Sequence, residues 1–475
     1  MQRSLWVVSA VGLAAFLVAC TPDIAQVTNP ALVTIEFDPA ASPAVVPQPN
    51  NLALDPTTGL VKVPVNPGDT ATQTAFNQTY LDTLDGFPME SGASVTTSGD
   101  LNPSTLGTGV LVLDITNPAA PSEVAVTPNY VSNGADAGGT LNIPGPLAGG
   151  QWQRGHTFAV VVIGGNQPGA VSGSNGQEVT GSSTWALVSS AANCTAVATC
   201  NAPVPLCALP DGGPGGPGSA CLPTTDLIPT QPDAVQLQEL QSGYAPLLGA
   251  LAAAPFNIPR SNVAILWTFS ITTQAEVTFD PANTVIPFPN DVVRTGAGGL
   301  VTLPTPPGTP AVLAELIGGL NTLNGFSTTA TIVSAVDFSL PNDGVSALMQ
   351  GSLDPASITP PLAIGFTAEG ASLGAAASQG ATNVTFCLSD VAPGCPSVTA
   401  TLPDGGVKPQ ILGIVPQTPL DELTTYAAYM TNALRDTTGK PVIPSAVFAL
   451  VRLPAATAPL ADQNGKSQVS LLTDA

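Results

Sequence analysis

The sequence is poor in charge, and poorest in positive charge: ten Lys and Arg stand against 32 Asp and Glu, for a formal charge of −22. Binding a polyanion needs clustered cations that neutralise phosphates and release counterions. No such cluster exists here, so nucleic acid is excluded as a partner. Histidine occurs once, as His156, which excludes a His-rich metal centre and any set of several His-based catalytic sites. Aromatic residues make up 5% of the chain, without the Trp/Tyr cluster that stacking on sugars requires. Long apolar runs are scarce as well. The one at Leu5–Val18 has 14 residues, short of the ~20 of an ordinary spanning helix, and no further span follows it.

Glycine and proline are what the chain has in plenty, with 47 and 49 residues. That much chain-breaking leaves little room for long helices and favours short strands joined by turns. Apolar residues at 44% supply ample core material, which excludes disorder throughout. At roughly 100–200 residues per domain, the length suggests two to four domains.

The first twenty residues read as an address. Gln2 and Arg3 form a short positive region, Leu5–Val18 is apolar, and Leu17-Val18-Ala19-Cys20 puts small residues before a cysteine. This resembles the lipobox of bacterial lipoproteins, in which the peptide is cut before the cysteine and the cysteine is lipidated. The resemblance implies a cleaved signal peptide at 1–19, lipidation at Cys20, and a tether over 20–30. It further implies a bacterial cell-envelope protein that is lipid-anchored to a membrane. Thr21 is not an aspartate-type retention signal, which by analogy points to the outer membrane.

Six cysteines remain. Cys194, Cys200, Cys207 and Cys221 fall in one Gly/Pro-rich stretch, and Cys387 and Cys395 flank a seven-residue loop. An even count in an oxidising compartment reads as three disulfides. Cys387–Cys395 is the clear pair. The other four allow three pairings, of which the sequential Cys194–Cys200 and Cys207–Cys221 is favoured. A zinc site lacks its usual close cysteine pairs.

A long-period repeat organises the rest. Val33-Thr34-Ile35-Glu36-Phe37-Asp38-Pro39 returns as Ala275-Glu276-Val277-Thr278-Phe279-Asp280-Pro281, and Pro47-Gln48-Pro49-Asn50-Asn51 as Pro287-Phe288-Pro289-Asn290-Asp291. A helical stretch follows in each copy, with Phe76, Tyr80, Leu81 and Leu84 in the first and Leu313, Leu316, Leu320 and Leu323 in the second. The two stop at Asp85-Gly86-Phe87 and Asn324-Gly325-Phe326. Finally Trp185-Ala186-Leu187-Val188 matches Phe448-Ala449-Leu450-Val451. The offset drifts from 242 to 263 residues, far beyond a solenoid period, so a whole domain is duplicated. Short β-rich runs such as Val110–Leu113, Thr157–Ile163, Val263–Ile271 and Tyr426–Met430 predict strands. Ala234–Ala253 is the clearest helix.

These motifs, with the run Thr424–Leu450, resemble the N-terminal domain of bacterial extracellular (virulence-factor) lipases and the bacterial Ig-like domains of surface lipoproteins. The resemblance implies an all-β fold: two tandem Ig-like antiparallel β-sandwich domains with short packed helices, after the lipoprotein signal peptide. The first covers 31–272, with a Cys-rich insertion at 190–225. The second covers 273–475 and is shortened, since 24 residues follow Val451 against the 82 from Ser189 to Ser270. It therefore lacks counterparts of the Ala234–Ala253 helix and the Val263–Ile271 strand.

The lipase resemblance calls for a test of catalytic signatures. Gly370-Ala371-Ser372-Leu373-Gly374 has the form of a nucleophile elbow, but no histidine follows Ser372 and its glycines belong to a Gly/Ala/Ser-rich loop. No catalytic α/β-hydrolase domain is expected. His156 aligns with Thr424, which predicts a partly exposed strand-edge residue without a catalytic companion. Asp38 and Asp280 precede proline at strand ends and read as turn formers. Asp337, Asp343 and Asp354, near Asn342 and Gly344, offer oxygen ligands but not the spacing of a calcium loop, so no metal or cofactor is expected.

The leading expectation is a non-enzymatic, lipid-anchored cell-surface protein whose Ig-like modules act as a spacer or binding domain. One alternative is the non-catalytic N-terminal part of a longer lipase or esterase. Another is an adhesin-like binder of an extracellular polysaccharide or protein, with the 194–221 loop as its contact.

Overall fold

The computed structural model describes residues 32–190 apart from 67, 135 and 136, then 231–279, 281, 286–337, 353–359, 363–368, 384–389, 395 and 410–453. Cys20, Cys194, Cys200, Cys207, Cys221, Asp280, Asp343 and Ser372 lie outside the described residues, as do the signal peptide and tether.

The fold is mostly β. In the first half the strands are β1 (Val33–Ile35), β2 (Ala93–Thr97), β3 (Val110–Asp114), β4 (Ser122–Glu123), β5 (Asn129–Ser132), β6 (Gly139–Ile143), β7 (Thr157–Ile163), β8 (Val179–Gly181) and β9 (Val263–Ser270). They form two sheets, of order β5-β6-β2-β1-β8 and β4-β3-β7-β9. Alternate residues of β2 and β6 are buried, the period-two pattern of strands with one face in a core. Val95, Leu141 and Ile143 from one sheet share that core with Val112, Val160 and Trp267 from the other. In β7 and β9 both faces are buried, which is why their sequences are continuous apolar runs rather than alternating ones.

The second half contains β10 (Glu276–Val277), β11 (Ile332–Asp337), β12 (Ile364–Ala368), β13 (Val384–Leu388), β14 (Gln410–Pro416), β15 (Tyr426–Met430) and β16 (Ile443–Pro444). Its five-stranded sheet has the order β13-β14-β11-β10-β16, the order of the first half's sheet strand for strand. The pairing senses match as well: β1 is antiparallel to β2 and parallel to β8, and β10 is antiparallel to β11 and parallel to β16. These parallel pairs correct the purely antiparallel expectation. After passing through the second sheet the chain returns to the edge beside β1 running in β1's own direction, so each five-stranded sheet is mixed. The other sheet of this half consists of β12 and β15 alone among the described residues.

Among the described residues the α-helices are α1 (Ala71–Thr79), α2 (Leu106–Gly109), α3 (Ser183–Ser189), α4 (Gln231–Ala252), α5 (Ala311–Leu320) and α6 (Ala446–Val451). Their starts follow from local chemistry. Thr70 and Gln73 make a reciprocal capping box on α1. Ser182 accepts from the Trp185 N–H at 3.1 Å, as Ser445 does from Phe448 at 3.1 Å. Each serine hydroxyl also donates back to a carbonyl two residues past a strand, Phe37 after β1 at 2.7 Å and Phe279 after β10 at 3.1 Å. The aromatic that follows then meets that same phenylalanine edge-on, Trp185 on Phe37 at 5.8 Å and Phe448 on Phe279 at 5.3 Å.

The match ends at the helical faces. Leu84 is fully buried after α1, whereas Leu313, Leu316 and Leu323 on and after α5 are exposed. The second half itself covers α1: Ile443 and Ala449 join the first half's core, and Arg452 Nη2 donates to Thr79 O at 3.2 Å.

Cys387 and Cys395 are disulfide-bonded, with Cα atoms 5.0 Å apart. Gly413 stands opposite Cys387 in β14, where a Cβ would fall 2.6 Å and 2.7 Å from the two sulfurs. Closing so short a loop contributes about 2–3 kcal/mol on the chain-entropy estimate.

Candidate functional site

The densest polar chemistry among the described residues lies where the two halves meet, and the loop that builds it is Gln151–His156. Trp152, Arg154 and His156 alternate with more accessible residues and are all buried, continuing the inward face of β7 back into the loop. Trp152 Nε1 donates to Ser91 O at 2.7 Å, and its ring packs on Phe158 and Phe269. Gly155 adopts φ 74°, a left-handed turn open to glycine at no steric cost, and its N–H reaches Thr272 O at 3.1 Å.

Arg154 is 1% exposed. Its guanidinium donates to Gln274 O, lies 3.0 Å from Met89 Sδ, and stands 3.7 Å from the buried carboxylate of Glu276 on β10. Burying a guanidinium and a carboxylate costs several kcal/mol per ion unless they answer each other. Here an arginine of the first half and a glutamate of the second do so.

The segment between β9 and β10 is itself buried, with Ile271, Thr272, Gln274 and Ala275 each nearly inaccessible. Asp85 organises it. One carboxylate oxygen accepts from Thr272 Oγ1 at 2.7 Å and Thr273 N at 2.9 Å; the other accepts from Thr273 Oγ1 and from Lys440 Nζ at 2.8 Å. Burial pushes the Asp85 carboxyl up, but the hydrogen bonds from Lys440, Thr273 and Thr272 outweigh it and hold the group below its ordinary value of 3.8. A carboxyl depressed in the folded state contributes stability that is present above its unfolded pKa and lost as pH falls through the folded one. Asp85→Asn is therefore expected to lower unfolding free energy at pH 7 by about 1–3 kcal/mol, the upper end discounted because Lys440 is partly exposed. It is also expected to flatten the acid limb below pH 3.8. Superimposable urea midpoints for wild type and variant from pH 7 to pH 3 would remove Asp85 from the account.

His156 corrects a sequence expectation. It is buried, not half-exposed, and it has a companion: Nδ1 bonds Asp114 Oδ2, while its ring stacks on Phe158 at 5.9 Å. Asp114 also accepts from Thr116 N at 2.9 Å. Its carboxyl is raised by burial and lowered further by His156 and Thr116, with a net shift below the ordinary range. The counterparts in the second half are Thr424 and, in register, Ala368, so the pair belongs to the first half alone. A carboxylate–imidazole pair is the usual base of a nucleophilic site. Here Nε2 is buried without a hydrogen-bond partner among the described residues, and the hydroxyl of Thr157, the next residue, is taken up by Ser270 Oγ at 2.9 Å. Among the described residues the arrangement orients the buried imidazole.

The remaining candidates are committed to local structure. Asp38 accepts from Ala40 N at 3.1 Å in its turn. Asp354 caps the turn Pro355–Ser357 through Ala356 N at 2.9 Å. Asp337 ends β11, and its predicted companions at 342–344 lie outside the described residues. Among the described residues no three His, Cys, Asp or Glu side chains are grouped to hold a metal, and no helix is long and apolar enough to cross a membrane. A shallow pocket of about 230 Å³ is lined by Asp55, Leu60, Lys62 and Asp82, but both carboxylates there accept backbone N–H groups, from Thr57 and Val63.

Comparison with known protein families finds no match, and comparison with curated proteins finds none. Among solved structures, the N-terminal part of the bacterial S-layer protein SbsC is similar over 19% of this chain and 18% of its own, at 15% identity and a TM-score of 0.13. A likeness that slight supports no statement about this chain.

Proposed function

We propose that the chain is an exported, lipid-anchored, non-enzymatic protein of the bacterial cell surface, and that its two β-rich halves act together as a spacer or binding module. The observation that carries the spacer role is the junction. Arg154–Glu276 and Asp85–Lys440 each pair a side chain of one half with a side chain of the other, across a linker whose residues other than Thr273 are buried. Freely swinging domains are joined by exposed, polar linkers with few crossing contacts; this segment is the opposite. A module held in that way transmits a fixed orientation from its anchor to whatever it presents.

The address rests on Leu17-Val18-Ala19-Cys20. Lipidation adds about 0.8 kcal/mol per buried methylene, so several chains on one cysteine hold a protein on a membrane almost permanently. Cys20→Ser is expected to move the protein from the detergent-extracted membrane fraction to the soluble fraction and to abolish incorporation of labelled fatty acid. Retention of the variant on membranes would sink the anchor. A second reading, the front end of a longer esterase, draws on the lipase resemblance.

A further inference from the structure

We propose that α5, with the proline-rich loop leading into it, is a docking surface for a second copy of this chain, each helix lying against its mate across a two-fold axis. The inference goes beyond the anchor-and-spacer reading and does not depend on lipidation at Cys20.

The two copies of this helix differ in what they show to solvent. In the first half α1 buries Thr72 and turns Gln73 and Gln78 outward, so the position itself does not require an apolar exterior. In α5 Glu315 is the only polar side chain. A helix that is apolar all round is normally enclosed, yet no residue of α5 is buried. Val312 is 81% exposed, Leu316 59% and Leu313 46%. At about 100° per residue these three share an arc about 100° wide, which makes them one stripe.

Charge marks the occupant. Glu315 is the only charged residue between Arg294 and Asp337, in a chain of net charge −22. Copies of so acidic a protein repel one another through their charged faces; this stretch lets them approach without that cost. A basic partner would find a single carboxylate on it. Helices that lie on a bilayer carry Lys or Arg on one face and Trp, Phe or Leu on the other, and α5 has no cation. The surface that matches it is another uncharged aliphatic face, and a second α5 is one.

The face is also self-complementary and pre-formed. Leu316 projects from it, and Gly319, one turn on, has no atom within 4 Å of where a Cβ would stand. A knob and a hollow on one helix are what a two-fold contact needs, since each surface must fit itself. Asn321 fixes the loop to the end of α5, accepting from Leu303 N at 2.7 Å and donating to Leu303 O at 3.1 Å. Val301 N donates to Leu323 O at 2.9 Å, and Leu323 adds 43% exposed apolar surface. Groups already held in place lose little freedom on association. A helix of ten residues is about 15 Å long, so the contact is small and the dimer reversible.

The test is sedimentation of the mature chain carrying Cys20→Ser, which removes the lipid and its thiol. A monomer–dimer equilibrium is expected over the micromolar range, tightened by added salt because screening relieves repulsion between the copies without weakening an uncharged contact. Leu316→Glu sets two carboxylates against each other at the axis and is expected to weaken the dimer at least tenfold. Should that variant misfold, Leu316→Cys in the same background keeps the test decisive. Mild oxidation is expected to link two copies through it, and not through Val131→Cys, a site of similar exposure on β5. A monomer at every concentration up to about 1 mM would overturn the proposal. So would a dimer untouched by Leu316→Glu, or equal linking through position 131. Flotation of the Cys20→Ser chain with phosphatidylcholine vesicles, lost in Leu316→Glu, would give the face to a bilayer, with the same consequence.

Discussion

Arg154→Met is expected to lower unfolding free energy by about 3–5 kcal/mol, the effect of stripping one member from a buried ion pair. The variant removes the guanidinium that stands 3.7 Å from the Glu276 carboxylate and the donor to Gln274 O. The double variant Arg154→Met, Glu276→Met should recover most of the loss, because two apolar side chains of similar length fill the site without a charge to desolvate. Urea denaturation of the wild type, Arg154→Met, Glu276→Met and the double variant measures this as a coupling energy. If the double variant is as unstable as the sum of the singles, the two residues do not act as a pair across the junction.

Trp185→Ala is expected to cost a comparable 3–5 kcal/mol, for a different reason. Its indole is enclosed by Phe37 at 5.8 Å and Tyr244 at 5.4 Å, so truncation opens a cavity bounded by three elements that cannot all collapse into it. Trp185→Phe keeps most of the volume but removes the donor to Val263 O, which should cost about 1–3 kcal/mol. Thermal and urea unfolding of both variants would show the order. A phenylalanine variant as unstable as the alanine one would place the hydrogen bond, not the packing, at the centre of that corner.

Much of this fold was legible in the sequence, and the physical reasons for what was not are specific. The runs Val110–Leu113, Thr157–Ile163 and Val263–Ile271 form strands because β-branched and aromatic residues in unbroken series fit a sheet buried on both faces. The long helix spans Gln231–Ala252 against the expected Ala234–Ala253, a difference confined to its ends, where helices fray. The parallel pairing of β1 with β8 was not legible, because pairing direction is set by the route of the chain and not by any residue in the strands.

At the junction the sequence carries a signal in its period. Trp152, Arg154, His156, Phe158, Val160 and Val162 follow strict period two, so the inward face of β7 already points Arg154 and His156 into the interior. Aligning His156 with Thr424 hides this, because the partner carboxylate, Asp114, is replaced by alanine in the second copy. Asp85 gives no such sign. It reads as the residue before a helix-stop glycine, and its partners Thr272, Thr273 and Lys440 are 187, 188 and 355 residues away in sequence.

Hydrogen exchange at the linker tests the coupled-halves account most directly. The Ile271 amide bonds His156 O at 2.8 Å, Thr272 bonds Phe87 O at 2.9 Å, and Thr273 bonds Asp85 at 2.9 Å. Mass spectrometry of peptides covering 271–276 is expected to show protection comparable to that of β9, with loss of that protection in Arg154→Met. Exchange at the rate of an unstructured segment in the wild-type protein would mean that the two halves swing freely, and the junction would no longer support a spacer.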